Sequence, residues 1–289
     1  MSEQMFFQVL VNAIGLSLIY ILMAMGLTLV FSIMRMINFA HSELYMLGGF
    51  SVYFLFGQWG IYYWLAVFVG ALFVAVVGVF LEWAIFRPLR HDLLAACLAS
   101  LGVGIMLQTG ALLAFGERDK DVATVYKGII EVSGVYFPLE RLVIVVASAL
   151  LALALIIFIN KFRLGQALQA VAQNPDAAAL MGINVNRMNG FGFAVASGLA
   201  AAAGGIISPL VYVTPYMGST PLLKAFIVVI MGGLGSIPGA VLAGFVLGFI
   251  EQFSLTLLGY VGNIFGFLIV MVLLVFRPRG LLGREFRVH

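Results

Sequence analysis

Four polar side chains of different chemical types fall within six residues of an otherwise apolar stretch. They are Asn38, His41, Ser42 and Glu43, in the segment INFAHSELYMLGGF at 37–50. Ionisable groups in apolar surroundings are costly unless they are solvated or paired, and they are functional candidates by default. The cluster therefore predicts a place where a polar or charged solute is bound or passed on.

A second segment, MGGLGSIPGA at 231–240, interrupts an apolar stretch with glycine and serine: Gly232, Gly233, Gly235 and Ser236. It lacks the lysine of a GxxxxGK[ST] phosphate-binding loop, so it does not predict ATP hydrolysis by this chain. Its exposed backbone N–H and C=O groups suit a broken helix that lines a solute pathway. We assign both polar segments to that pathway.

Catalytic and metal-binding constellations are missing from the sequence. The three histidines, His41, His91 and His289, lie in no HExxH motif and have no cysteine partners, since Cys97 is the only cysteine. A resident metal or an intrachain disulfide is therefore not expected. We predict that the chain is not an enzyme.

The elements that position these residues follow from composition. Of 289 residues, 63% are hydrophobic and 9% are charged, against about 25% charged in ordinary soluble domains. Long charge-free runs such as 44–81 and 188–223 exceed the roughly 20 residues that a helix needs to cross a bilayer. The alternation of a membrane barrel is missing. The sequence predicts an all-α, polytopic helical membrane protein.

We expect one transmembrane domain over 1–289, with eight to nine membrane segments and broken or re-entrant helices. The seventh segment is too short to span upright, so it is a half-helix or merges with the eighth. For 37–50 an alternative stays open, in which the segment lies at the inner interface and His41 and Glu43 extend toward water. The nine apolar segments are 6–33, 43–57, 62–86, 93–115, 142–159, 190–213, 222–234, 239–257 and 260–276.

Basic residues predict the orientation. With the N-terminus outside, the inner loops hold Arg35, Arg87, Arg90, Lys161, Arg163, Arg187, Arg277, Arg279, Arg284 and Arg287. The outer side then holds fewer basic residues, together with several acidic ones. The basic residues there are Arg118, Lys120, Lys127, Arg141 and Lys224. This asymmetry follows the positive-inside rule and explains the net charge of +3 without nucleic acid. We expect membrane lipid to surround the chain.

Two loops are long enough to have structure of their own. The outer loop, 116–141, mixes charge with Val, Ile and Tyr and predicts a short hairpin or surface helix. In the inner loop, 160–189, Asn174 is a good N-cap, Pro175 suits the first helical position and Gly182 ends a helix over 175–181. So short a helix must dock, either on its own membrane helices or on a cytoplasmic partner.

The sequence also makes predictions for three charged residues near the membrane helices. Glu82 and Arg87 predict an ion pair at an inner helix end. Glu251 predicts either an interior pair or wet cavity, or an interfacial position. Small-xxx-small spacings such as Gly244/Gly248 predict close helix packing.

Seven stretches in order over nearly the whole chain resemble the LivH-type inner-membrane permeases of branched-chain amino acid ABC transporters. One departure is Ser42, where that family usually carries Gly in its NFAHGE stretch. The stretches are NFAHSELYMLGG (38–49), FRPLR (86–90), ASLGVGIMLQ (99–108), GVYFPLERL (134–142), AVAQNPDAAALMGINVNR (170–187), MGGLGSIPGAVLAGFVLG (231–248) and FRPRGLLG (276–283).

The resemblance implies a permease subunit of a bacterial importer in the inner membrane. Its implied partners are a second, LivM-like permease, two cytoplasmic ABC ATPase subunits that bind ATP and Mg, and an extracytoplasmic substrate-binding protein. The chain itself would hold no cofactor. The residues that would contact the ATPase are Gln173, Asn174, Asp176, Ala177, Ala178 and Gly182.

The resulting hypothesis is ATP-driven alternating access for branched-chain or related hydrophobic amino acids. One alternative is an ABC permease for urea or amides. Another is an ion- or proton-coupled secondary transporter that uses Glu43 or Glu251, which would not need a docking helix in 163–187. An intramembrane enzyme is a third interpretation, for which no nucleophile or metal set is found.

Overall fold

The fold was obtained as a computed structural model, which describes residues 3–132, 135–259, 263–277 and 280–282. These residues form eleven α-helices and one two-stranded antiparallel sheet, which confirms the all-α class. Gly134, Arg279, Arg284, Arg287 and His289 lie outside the described residues. In chain order the elements are α1 (Glu3–Met34), α2 (His41–Val52), α3 (Tyr63–Leu81), α4 (Leu93–Phe115), β1 (Ile129–Val132), β2 (Val135–Pro138), α5 (Leu139–Lys161), α6 (Arg163–Gln173), α7 (Pro175–Leu180), α8 (Val185–Ile207), α9 (Ser219–Gly232), α10 (Ile237–Leu258) and α11 (Asn263–Phe276).

Six helices of the described chain are long and apolar enough to cross a membrane: α1, α3, α4, α5, α8 and α10. The other three apolar helices are shorter: α2, which a π-helical turn extends over Tyr53–Gln58, α9 and α11. Each of the nine apolar segments thus corresponds to one helix. The seventh segment stays separate as α9, whose 14 residues rise about 21 Å, less than a bilayer core.

The sixth segment ends earlier than the sequence suggests. Helix α8 stops at Ile207, and the chain then turns through 208–211 and pairs Val213 with Lys120 in an isolated antiparallel bridge. The apolar run to 213 therefore contains a helix and a loop, which hydropathy alone does not distinguish.

The centre of the bundle is formed by α1 and α8, which are mostly buried within the chain, whereas fewer than a third of the residues of α4, α5 and α10 are buried. Helix α1 packs against α8, α9 and α10, and α8 packs against α2 and α3. Glycine makes these approaches possible, as the Gly244/Gly248 spacing predicted: a Cβ on Gly244 or Gly248 of α10 would collide with Ile21 or Ser17 of α1. A Cβ on Gly48 of α2 would likewise collide with the backbone of Ala201 on α8. The exposed faces are left for lipid or for another subunit.

Loops assigned to the same side of the membrane lie together. On the predicted outer side, β1 and β2 form the expected hairpin, the Gln8 side chain accepts a hydrogen bond from the Tyr136 N–H, and Lys120 bridges to Val213. On the predicted inner side, the Arg90 guanidinium donates to Asn186 at 2.7 Å. The grouping agrees with the arrangement that the basic residues predict.

Candidate translocation site and coupling helix

The first polar segment begins at a true break between α1 and α2. Arg35 adopts a left-handed backbone conformation with φ 52°, and the Asn38 side chain accepts a hydrogen bond from the Ala40 N–H at 3.0 Å. Ser100 of α4 accepts a hydrogen bond from the Phe39 N–H at 3.1 Å. The break at 35–40 therefore lies beside the spanning helix α4. Gly48, in contrast, lies within α2 and interrupts nothing.

Asn38, His41, Ser42 and Glu43 are all buried within the chain. The Ser42 hydroxyl lies 2.9 Å from Glu43 Oε1 and 3.2 Å from the Phe39 carbonyl oxygen, and its single proton serves one of them at a time. The His41 ring packs against Gly26 of α1, where an added Cβ would lie 2.8 Å from Nε2. The four side chains thus form one cluster, the break cluster, at the depth of the spanning helices.

Several atoms of the break cluster lack hydrogen bonds within the described chain. They are Asn38 Nδ2, Glu43 Oε2 and both ring nitrogens of His41, although the imidazole lies near the Met23 backbone. Buried polar groups without partners are rare because each one costs the free energy of its lost hydration. An arrangement of this kind is suited to a solute that completes the missing bonds.

The second segment is also a break, but two of its carbonyl groups already accept hydrogen bonds from another part of the chain. Gly233 and Gly235 have φ of 100° and 80°, and Ser236 caps α10 by accepting from the Gly239 N–H at 3.1 Å. The backbone N–H groups of Leu281 and Leu282 donate to the carbonyls of Met231 and Gly232 at 2.8 and 3.0 Å. The chain's own C-terminal segment therefore covers this break.

The structure does not bring the two polar segments together. Gly218, directly before α9, packs against the backbone of Ser42, while Gly232 is the last residue of α9. The 14 residues of α9 separate the two ends by about 21 Å. The break cluster remains the better candidate for solute contact, and Gly232, Gly233, Gly235 and Ser236 belong to a separate, capped turn.

The predicted docking helix is present as α7. Asn174 caps it by accepting from the Ala177 N–H at 3.0 Å, Pro175 is its first residue, and Gly182 follows its end with φ 84°. Gln173, Asn174, Asp176, Ala177 and Gly182 are exposed. Ala178 is buried, so it holds α7 onto the chain and does not face a partner.

Two residues missed from the sequence are the most exposed apolar side chains of this region. Leu180 is 89% exposed and Met181 is 84% exposed at the end of α7. Large apolar side chains that are exposed together at the end of a short helix favour a partner surface. The signal was the apolar pair at the end of the helix predicted over 175–181, to which the sequence analysis assigned no role.

Helix α6, directly before α7, was also missed. Its buried residues Gly165, Leu168 and Val171 recur every three positions on one face, a helical spacing that could have revealed it. A Cβ on Gly165 would collide with the backbone of Phe158 and Ile159 in α5. Helix α6 thus anchors the inner loop to the membrane helices and presents α7.

Among the described residues, two ion clusters lie outside the break cluster. Glu82 is fully buried and pairs with Arg87 at 2.8 Å, as predicted, and also with Arg90, which was not predicted. Lys224 was assigned to the outer side, but it is buried and pairs with Glu251 at 2.9 Å. Glu251 is therefore an interior partner, one of the two interpretations that the sequence left open.

Long apolar helices, a polar break in the interior and an exposed short helix at one face are features of a polytopic membrane transport protein. The family model for the branched-chain amino acid transport system / permease component matches residues 9–276. The chain is 34% identical over 302 residues to the high-affinity branched-chain amino acid transport system permease protein LivH of Escherichia coli (strain K12), with 98% of each chain covered.

Two further relatives extend the comparison. Identity is 32% with BraD of Pseudomonas aeruginosa, over 96% of both chains. It is 23% with LivM of Escherichia coli, over 94% of this chain and 69% of that one. No solved structure matches. The chain belongs to the branched-chain amino acid transport permease family, and it is a multi-pass protein of the bacterial inner membrane.

Proposed function

We propose that this chain is the membrane-spanning permease subunit of an ABC importer for branched-chain or related hydrophobic amino acids. Residues 1–289 would act as one transmembrane domain. A second permease, two cytoplasmic ATPase subunits and an extracytoplasmic binding protein would complete the complex. Support comes from LivH and BraD, whose names give branched-chain amino acid transport, and from the similarity to LivM, which suggests a paired permease.

The observation that carries the proposal is the unpartnered Glu43 Oε2 in the buried break cluster. A free carboxylate oxygen suits the α-ammonium group of an amino acid, and the free Asn38 Nδ2 donor suits its carboxylate. The rings of Phe39 and Phe226, 5.2 Å apart beside the break, offer an apolar wall to an aliphatic side chain. A neutral amide such as urea would not need the Glu43 charge.

The chain would contribute differential binding between two conformations and no covalent chemistry. ATP hydrolysis would take place in the partner subunits. A force on α7 has a contiguous route to the break cluster: Asn184 caps α8 two residues after Gly182, and α8 packs Ala196 beside His41 and Ala201 against Gly48. Movement of α7 would thus shift α8 against α2 and open or close the cluster.

The test is ATPase activity of the complete complex reconstituted in vesicles, with its binding protein empty or loaded. Loading with leucine, isoleucine or valine is expected to stimulate hydrolysis and uptake. If a urea-loaded binding protein stimulates ATP hydrolysis and these amino acids do not, the substrates are amides and not amino acids.

A secondary transporter that couples through Glu251 is disfavoured, because that carboxylate is already paired with Lys224. One that couples through Glu43 would not need the docking helix α7. The distinguishing measurement is amino acid uptake by vesicles that contain this chain without ATP or partners. Uptake driven by a proton or sodium gradient under those conditions would contradict the importer.

A further inference from the structure

The chain between α8 and α9, residues 208–218, leads from the outer side of the protein to the break cluster. In its outer part, Val213 pairs with Lys120 of the predicted outer loop. At its end, Gly218 packs against the backbone of Ser42. We call these residues the α8–α9 connection. It therefore joins the outer surface to the candidate site for solute contact.

The α8–α9 connection reaches membrane depth without being helical. Gly26 of α1 lies beside both the His41 ring and the carbonyl oxygen of Ala196, and Ala196 is the middle residue of α8. The break cluster is thus at the middle depth of a spanning helix, and the connection descends to it. Non-helical backbone at this depth is tolerated only where it is buried in protein or lines a water-filled cavity. Pro215 and Gly218 of the connection are buried within the chain, which satisfies the first condition on one side only.

Hydroxyl groups are exposed on the other side, where the connection meets α9. Tyr216 is 49% exposed, and Ser219 and Thr220, the first two residues of α9, are also exposed. The Ser219 hydroxyl donates to the Tyr216 carbonyl at 2.9 Å. The exposed face of α3, in contrast, carries large apolar side chains such as Leu72. Polar side chains at membrane depth are typical of a bundle interior or a water-filled cavity and not of a lipid contact.

The same side of α9 continues to the break. Ser219 and Phe226 are seven positions apart, so they share one face of the helix. The Phe226 ring lies 5.2 Å from the Phe39 ring, and the Phe39 carbonyl oxygen lies 3.2 Å from the Ser42 hydroxyl. One face of α9 therefore carries a hydroxyl at its outer end and an aromatic ring beside the break.

We propose that Tyr216, Ser219 and Thr220 line a water-filled vestibule through which an amino acid enters the break cluster from the outer side. This inference rests on the proposed function, because the solute is the amino acid proposed there. Hydroxyl groups both donate and accept hydrogen bonds, so they would replace water around the carboxylate and ammonium groups of a zwitterion. Phe226 would then contact the aliphatic side chain. The vestibule would thus pass the amino acid to Glu43.

The first test is the reactivity of single cysteines toward a membrane-impermeant, cationic thiol reagent, added outside spheroplasts that express the complete complex. Cys97 is the only cysteine of the chain, so Cys97→Ser provides the background. Thr220→Cys is expected to react about tenfold faster or more than Leu72→Cys, the control on the exposed face of α3, because the reactive thiolate forms in water and not in hydrocarbon. Asp119→Cys, exposed in the predicted outer loop, gives the rate at an accessible position.

The second test is leucine uptake by the reconstituted complex with Thr220→Val, which removes the hydroxyl and nearly keeps the volume of the side chain. The half-saturating leucine concentration is expected to rise about two- to tenfold, the effect of one net hydrogen bond, at an unchanged maximal rate. The matched control is Thr256→Val. The Thr256 hydroxyl donates to the Gln252 carbonyl within α10 at 2.9 Å, so its loss should leave the half-saturating concentration unchanged.

Fast labelling of Thr220→Cys together with a raised half-saturating concentration in Thr220→Val supports the proposal. Labelling as slow as that of Leu72→Cys overturns it, and would mean that lipid or a second permease covers these hydroxyls. Fast labelling with equal uptake changes in Thr220→Val and Thr256→Val, or with none, also overturns it, because water would then reach the vestibule without solute contact. The labelling uses no solute. It therefore decides whether the vestibule exists even if the wild-type complex takes up no amino acid and the proposed function fails.

Discussion

Lys224 of α9 and Glu251 of α10 form an ion pair in the interior of the bundle, with Nζ 2.9 Å from Oε1 and both side chains 6% exposed. The Phe267 ring lies 5.3 Å from the ammonium group, and Tyr20 of α1 lies beside the carboxylate. The pair and its contact with Tyr20 therefore hold the short helix α9 against the longer helices α10 and α1. Helix α9 begins beside Ser42, so its position bears directly on the break cluster.

Removing one member of this pair should destabilise the protein strongly. Lys224→Met or Glu251→Met leaves the other charge buried without a partner, which costs about 3–5 kcal/mol. The double variant Lys224→Met, Glu251→Met should recover most of that loss, because it removes both charges. Thermal unfolding of the purified protein in mild detergent measures the effect. Losses that simply add in the double variant would mean that the two residues do not act as a pair.

Glu43→Gln should abolish most transport and leave the fold intact. The variant keeps the contact with Ser42 and removes a buried charge that has one free oxygen. Because burying an uncompensated carboxylate is costly, thermal stability should stay the same or rise. Loss of a charge-assisted bond to the substrate ammonium should reduce uptake by about tenfold or more.

The matched control for Glu43 is Glu140→Gln. Glu140 is also buried, but its carboxylate accepts a backbone hydrogen bond from Val125 at 2.9 Å in the predicted outer loop. Uptake in reconstituted vesicles should be near normal in that variant. A similar loss of uptake in both variants, or none in Glu43→Gln, would remove Glu43 from the pathway.

Ser42→Gly tests the one position where this chain departs from the motif of similar permeases. The substitution removes the hydroxyl beside Glu43 Oε1 and leaves that oxygen free for the substrate. We expect a half-saturating substrate concentration lower by about two- to tenfold, the effect of one net hydrogen bond. Stability should fall by less than about 1 kcal/mol, because glycine costs about that much relative to alanine in a helix and serine is itself a poorer helix former than alanine.

Ser51→Gly is the control for the backbone effect. Ser51 is in the same helix, and its hydroxyl donates to the Leu47 carbonyl at 2.7 Å, away from Glu43. The Ser51→Gly variant should lose a similar amount of stability. Its half-saturating substrate concentration should be unchanged. Equal changes in both variants would assign the effect of Ser42 to helix stability alone.

The parts of this structure that the sequence predicts are those encoded by neighbouring residues. The N-cap of α7 needs only Asn174 and Ala177, three positions apart, and the Glu82–Arg87 pair spans a single π-helical turn. The spanning helices follow from long apolar runs, because lipid allows few other structures.

The parts that the sequence does not predict depend on contacts between distant segments. Lys224 pairs with a residue of the next helix, and Leu281 reaches back to cover the carbonyl of Met231. Hydropathy and spacing indicate which segments are helical and which face of a helix a residue occupies. They do not indicate how the helices are placed relative to one another, which decides such contacts. For the same reason, the sequence suggested two pathway segments where the structure separates them.

Asp176→Lys and Gly182→Pro should uncouple ATP hydrolysis from transport. Asp176 is exposed in the first turn of α7, so its charge can be reversed without repacking. Gly182 has φ 84° and its N–H donates to the Ala179 carbonyl at 2.9 Å. Proline can neither adopt this φ nor donate this hydrogen bond, because its ring holds φ near −65° and its nitrogen carries no hydrogen.

The measurement is ATPase stimulation by the loaded binding protein, together with uptake, in the reconstituted complex. Both responses should be lost while membrane insertion and thermal stability persist. Asp119→Lys, an exposed charge reversal in the predicted outer loop, is the control. Wild-type coupling in both α7 variants would mean that α7 packs on its own chain and transmits nothing.

Leu180 and Met181 provide a test of partner contact that leaves the helix ends unchanged. Both side chains project from the end of α7 and are more than four-fifths exposed, so replacing them with serine should not disturb the fold of this chain. If they insert into an apolar groove of the ATPase, burying two such side chains contributes about 1.5–3 kcal/mol each. The double variant Leu180→Ser, Met181→Ser should then lose most ATPase on co-purification in mild detergent. The control variant is Leu94→Ser, Leu98→Ser, which replaces two apolar side chains of α4 that are 71% and 60% exposed. This variant should keep the ATPase bound. Retention of the ATPase by the α7 variant would place the partner contact elsewhere on the inner face.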